Sequence, residues 1–99
     1  MQAFGLTKTV RHLDLSSNRL DKTATPAIRD MLRLAHKLET LNLSCNSLGP
    51  EGGKVVYEGV RLSRSVKKVD VRLTGCGKDA DAKIQQALKK NKADGELVF

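Results

Sequence analysis

The chain has 99 residues and a net charge of +7, from 18 Lys and Arg against 11 Asp and Glu, with one Tyr, two Phe and no Trp. This length allows one small domain with a modest core, and the charge favours acidic partners; so few aromatic side chains leave little on which to stack bases, which argues against a nucleic-acid platform. No apolar run reaches the roughly 18 residues of a membrane helix, and the opening MQAFGLTKTV lacks the basic and apolar regions of a secretory signal.

One pattern recurs. LETLNLSCNSL (Leu38 to Leu48) reads L-x-x-L-x-L-x-x-N-x-L; VRHLDLSSNRL (Val10 to Leu20) and VKKVDVRLTGC (Val66 to Cys76) repeat it. Leu13, Leu41 and Val69 share one slot and stand 28 residues apart. A fixed period of this length is the signature of a leucine-rich-repeat solenoid, in which each repeat buries its apolar face only against its neighbours. The predicted fold is therefore α/β, short parallel strands alternating with helices. The repeats run over about 10–37, 38–65 and 66–93, followed by a tail at 94–99.

In the first nine residues, Phe4 takes the slot of Leu32, Val60 and Leu88, so the chain is expected to open inside the last turn of a helix. The sequence then reads as the C-terminal end of an array, a segment of a longer protein, with neighbouring repeats or another chain stacked at its N-terminal end. The first strand is expected near His12 to Leu15, with Leu13 and Leu15 inward. Asn18 takes the place of the ladder asparagine, whose side chain supplies partners to backbone groups of a tight turn. Ala24, Ala27, Ile28, Met31, Leu32 and Ala35 form a stripe at helical spacing. Pro26 would break a helix begun at Asp21, so a single turn at 21–24 and a main helix over about 26–36 are predicted, with Thr25 as N-cap.

The second repeat leads through Gly49-Pro50-Glu51 into a helix ending near Ser63, with Val55, Val56, Val60 and Leu62 inward. Gly52 answers Ala24 and Ala80, and these small residues predict a close approach of helix to strand. In the third repeat Thr74 replaces the ladder asparagine and Cys76 takes the buried slot of Leu20 and Leu48. The last helix is expected over about 79–90, with Ala80, Ile84, Ala87 and Leu88 inward and a polar outer face, as a solenoid cap requires. The tail Asp94-Gly95-Glu96-Leu97-Val98-Phe99 can fold back over the last repeat or reach outward. Neither Cys45 nor Cys76 has a C-x-x-C partner, which points to a reduced, cytoplasmic protein.

Strand and helix alternating at this period resemble the ribonuclease-inhibitor class of leucine-rich repeat. The closing repeat, and Asp70 to Gly77 (DVRLTGCG) above all, resembles that of leucine-rich-repeat proteins of the ciliary axoneme, among them the leucine-rich-repeat subunit of the nexin–dynein regulatory complex. That resemblance implies a non-catalytic scaffold in the axoneme of cilia or flagella, contacting axonemal subunits or tubulin. A regulator of an enzyme, either ribonuclease-inhibitor-like or GTPase-activating, is the first alternative, and a NOD-like sensor repeat domain the second.

The expected protein-binding surface is the concave strand face. Its outward positions are His12, Asp14, Ser16 and Ser17; Thr40, Asn42, Ser44 and Cys45; and Lys68, Asp70, Arg72 and Leu73. Asp14, Asn42 and Asp70 form one row, and Ser16, Ser44 and Arg72 another, with small side chains leaving a groove beside Arg72. Leu73, exposed and apolar by its place in the repeat, is the strongest single contact, with packing of the C-terminal tail over it as the alternative. The basic residues Arg29, Arg33, Lys37, Arg61 and Arg64 are expected on a solvated helix face. No phosphate loop, paired-carboxylate site or metal-ligand spacing occurs, and no cofactor or membrane partner is implied.

Overall fold

The computed structural model describes residues 10–91 and 95–99. Among them four strands alternate with three helices: β1 (His12–Asp14), α1 (Thr25–Leu34), β2 (Thr40–Asn42), α2 (Gly49–Leu62), β3 (Lys68–Asp70), α3 (Lys78–Asn91) and β4 (Glu96–Val98). A 3-10 turn at Lys22–Ala24 precedes α1. The strands make one parallel sheet in the order β1-β2-β3-β4. Leu13 pairs with Leu41, Leu41 with Val69, and Val69 with Leu97. The tail is thus a fourth rung in the 28-residue register, which settles the choice left open for residues 95–99. The helix expected around Phe4 lies outside the described residues.

Strand alternation sends Leu41, Leu43, Val69, Val71 and Leu97 into the core, where they join Ile28, Met31 and Leu32 of α1, Val56 and Val60 of α2, and Ile84 and Leu88 of α3. Leu62 departs from the expected stripe: it closes α2 with 39% of its surface exposed, because Ser63 leaves the helix in extended backbone. Pro26 lies in the first turn of α1, as expected, but Thr25 is not the N-cap. Ala24 holds that place, and the Thr25 hydroxyl donates to Lys22 O at 2.6 Å. Asp21 caps the 3-10 turn instead, its carboxylate accepting from Thr23 N at 2.9 Å. Two short caps thus resolve the conflict that Pro26 creates.

The close approach expected at Gly52 is to neither strand. An added Cβ there would lie 3.0 Å from Leu48 Cβ and 3.3 Å from Thr25 Cγ2. A close helix-to-helix approach lies at Gly59, where an added Cβ would stand 2.8 Å from Leu32 Cδ1 and 2.9 Å from Arg29 Cα. Packing of α1 on α2 therefore depends on a missing side chain.

After each strand the chain turns sharply. Asp14, Asn42 and Asp70 accept from the backbone N–H two residues on, at 2.9, 3.0 and 3.0 Å. Ser17, Cys45 and Leu73 then adopt positive φ of 55°, 60° and 58°, a conformation that costs a non-glycine residue energy and needs support from its surroundings. Asn46, nearly fully buried, supplies that support. Its Oδ1 accepts from Asn18 N and Leu20 N, both at 3.0 Å, and its Nδ2 donates to Leu15 O and Leu43 O, both at 2.9 Å. The Asn18 side chain is exposed and, among the described residues, its Nδ2 donates only to Ser16 O in its own turn, at 3.2 Å. In the third repeat the Thr74 hydroxyl donates to Val71 O at 2.6 Å, while the Thr74 carbonyl accepts from Leu48 N and Gly49 N. A main-chain carbonyl thus does there what the asparagine amide does one rung earlier.

Replacing Asn46 with Ala leaves two amides and two carbonyls short of a partner, a loss of about 3 kcal/mol. Chemical denaturation should show it, with Asn18→Ala costing under about 1 kcal/mol; equal effects would contradict the ladder. Gly59→Ala should destabilise by about 1 kcal/mol in the same assay, because overpacking at roughly 1–3 kcal/mol outweighs the roughly 1 kcal/mol gained in helix propensity.

Candidate protein-binding face

The sheet face turned away from the helices carries the expected surface, but its residues divide into two groups. His12 and Lys68 are exposed and Thr40 is half-buried. His12 Nδ1 stands 2.7 Å from Thr40 Oγ1, and Lys68 Nζ reaches Glu96 at 3.3 Å. At the N-terminal rim of the strands the Glu39 carboxylate sits between Lys67 at 3.1 Å and Arg11 at 3.0 Å. Hydrogen bonds from Lys67 first, and Arg11 second, hold it below the usual carboxylate range.

The row Asp14, Asn42 and Asp70 is not a row of free ligands. All three side chains close the turns after their strands, and an Asx residue two positions before a turn residue is the signal by which sequence could have shown this. Asp14 is held below its ordinary range by the Ser16 hydroxyl and then by Ser16 N–H. Asp70 and Ser44, both expected to be exposed, are buried to 9% and 8% exposure. Ser44 lies in the turn that packs against the preceding rung, its carbonyl accepting from Ser17 N at 3.0 Å. Asp70 is covered by Arg72, whose Nη2 donates to Oδ2 at 2.8 Å and whose Nε donates to Oδ1 at 3.1 Å. Ser16 is half-buried, its hydroxyl bonded to Asp14.

The exposed contact surface gathers at the other end of β3. Leu73 is 81% exposed and Phe99 is 74% exposed. With Ser44, Cys45 and Arg72 they line an open recess of about 470 Å³. This is the groove expected beside Arg72, with one wall that the sequence reading missed. Phe99 takes the slot of Leu15, Leu43 and Val71; a register carried one period beyond Val69 would have placed it on the fourth rung. Gln85, expected among outer polar residues, holds that rung: Leu97 N donates to Gln85 Oε1 at 3.2 Å. Cys45 is exposed and Cys76 buried, both as free thiols, with burial pushing the Cys76 thiol up. Among the basic residues of the helix side, Arg29 meets Asp30 at 3.3 Å and Arg61 meets Glu58 at 2.9 Å; Arg33, Lys37 and Arg64 are exposed.

A parallel strand every 28 residues, a helix behind each interval and turns that bond from rung to rung define a leucine-rich-repeat solenoid. The family model described as "Leucine Rich repeat" matches residues 8–23 and 35–56, less than half of the chain. Among solved structures the chain is similar to leiomodin-1 actin-binding site 2, with a TM-score of 0.80 and 21% identity over 99% of this chain. The chain spans 58% of that structure's length, and at this identity the likeness is one of fold. No curated protein sequence matches the chain significantly. A leucine-rich-repeat domain of this kind points to a role in protein–protein interaction.

The Arg72–Asp70 pair has a titration signature. Burial pushes the Asp70 carboxyl up, but the Arg72 side-chain and backbone hydrogen bonds outweigh it, so the folded value lies below the ordinary one. The stability this contributes is present above the ordinary carboxylate pKa and is lost as pH falls through the lowered folded value. In Arg72→Ala the burial effect loses its main opponent and the Asp70 pKa should rise. Carboxyl NMR titration of both proteins checks this, and an unchanged Asp70 midpoint would contradict the pairing.

Proposed function

We propose that this chain is a non-catalytic docking segment of a cytoskeletal scaffold, whose partner protein meets the concave strand face at the recess between Arg72, Leu73 and Phe99. The observation that carries the reading is the exposure of two large apolar side chains around a guanidinium already fixed by Asp70. Exposed apolar groups beside an oriented arginine are the composition of interface anchors. Contacts extend along the strands to His12, Thr40 and Lys68, while Asp14, Ser16, Asn42, Ser44 and Asp70 shape the turns that present them. The repeats are read as those of the ribonuclease-inhibitor class, on the 28-residue alternation of strand and helix.

The finer placement is the ciliary or flagellar axoneme, in an assembly of the nexin–dynein regulatory type. It rests on the resemblance of the run Asp70 to Gly77. The fold shared with an actin-binding site of leiomodin-1 supports a cytoskeletal partner more generally and favours actin as the second reading.

Cosedimentation separates the two. The purified chain should pellet with salt-extracted, demembranated axonemes and stay in the supernatant with bare actin filaments. Leu73→Ala with Phe99→Ala should cut axonemal binding at least tenfold while shifting stability by less than about 0.5 kcal/mol, because neither side chain is in the core. Binding to neither filament would refute the cytoskeletal reading. Binding to actin alone would replace the axonemal reading by the second one.

A further inference from the structure

The positive charge of the chain is unevenly placed. On the strand side Arg11 and Lys67 share Glu39, Lys68 meets Glu96, and Arg72 meets Asp70. On the helix side a groove runs between α2 and α3. Its wider part, of about 640 Å³, is walled by Lys54 and Tyr57 from α2 and by Lys78, Asp79 and Lys83 from α3. Beyond Tyr57 and Lys83 it continues past Arg61, Gln86 and Lys90. Lys54, Lys78, Lys83 and Lys90 are exposed and make no ion pair among the described residues. Asp79 is the one carboxylate along these walls.

The two walls are built by helical spacing. Lys54, Tyr57 and Arg61 follow one another at three and four residues on α2, as do Lys83, Gln86 and Lys90 on α3. Each set therefore stays on one face of its helix. Lys83 Nζ stands 5.9 Å from the Tyr57 ring centroid, a cation held over an aromatic face midway along the groove. From Lys78 to Lys90 a helix rises about 18 Å. Five or six residues of extended chain, at about 3.3 Å each, cover that distance.

We propose that the α2–α3 groove binds an acidic peptide segment, rich in Asp and Glu, laid along it in extended form. Lysine ammonium groups are compact point charges suited to a series of carboxylates. A single tyrosine provides no run of stacking platforms for bases. The groove is recessed between helices and has no protruding apolar wedge with which to enter a membrane. This second surface shares no lining residue with the recess at Leu73, so one chain can tie two partners together.

The probe is a fluorescein-labelled octaglutamate peptide, titrated with the full chain by fluorescence anisotropy at 50 and 200 mM salt. Saturable binding is expected, weakening several-fold at the higher salt as solvent-exposed charges are screened. Lys54→Glu with Lys83→Glu should weaken it at least tenfold. Arg19→Glu with Arg33→Glu makes the same change in net charge at exposed cations elsewhere that make no ion pair among the described residues, and should stay within twofold. Circular dichroism should show both variants folded, since all four side chains are exposed. Leu73→Ala with Phe99→Ala should leave octaglutamate binding unchanged, so this proposal and the concave docking face fail independently. Absence of saturable binding, or equal loss in both charge-reversal variants, would overturn the groove as a site. Tighter binding of an oligonucleotide or of phosphoinositide vesicles, lost on Lys54→Glu with Lys83→Glu, would overturn the choice of an acidic peptide.

Discussion

One buried amide, that of Asn46, connects two consecutive turns through four hydrogen bonds of 2.9–3.0 Å. The strands are only three residues long, so each sharp turn after a strand contains backbone groups that the sheet itself does not serve. A buried polar group without a partner costs more than a made bond returns. The solution in this chain is to let each rung satisfy the next. Asn42 O accepts from Leu15, Asp70 O from Leu43 and Val98 O from Val71, each at 2.8 Å. Because these bonds recur at one period, the apolar residues inside the turns must recur at the same period, and the core follows as a consequence.

The same constraint assigns the charges. Side chains at the strand ends are occupied in closing turns or pairing across rungs, so the strand side is close to neutral and its free surface is reduced to a few exposed groups. Helix surfaces carry no such duty, and their lysines keep their charge. The exposed surface divides accordingly: two large apolar side chains, Leu73 and Phe99, on the strand side, and a groove lined by lysines on the helix side.

Much of the architecture was legible because it depends on period alone. The spacing of Leu13, Leu41 and Val69 led to the parallel register, and the conflict of Pro26 with a longer helix led to the single turn before α1. What was not legible depends on geometry that period does not carry. Thr25 fits the capping preference, but the preceding 3-10 turn had already turned the chain, so its hydroxyl bonds backward. Leu62 has the hydrophobicity of a core residue but sits at a helix end that faces water. Alternation labels Asp70 and Ser44 as outward, whereas the Arg72 side chain lies over Asp70 and Ser44 sits in a turn bonded to the neighbouring rung. Leu97 was within reach of the period, but the tail stayed open between folding back and reaching outward because no full repeat pattern surrounds it.

The decisive measurement is inter-strand NOE spectroscopy on an isotopically labelled chain. Contacts between backbone protons of neighbouring strands should link Leu13 to Leu41, Leu41 to Val69, and Val69 to Leu97, with parallel connectivity throughout. Antiparallel connectivity, or a register displaced by even one residue at β2–β3, would contradict the rung-by-rung satisfaction of the turns on which fold and both surfaces depend.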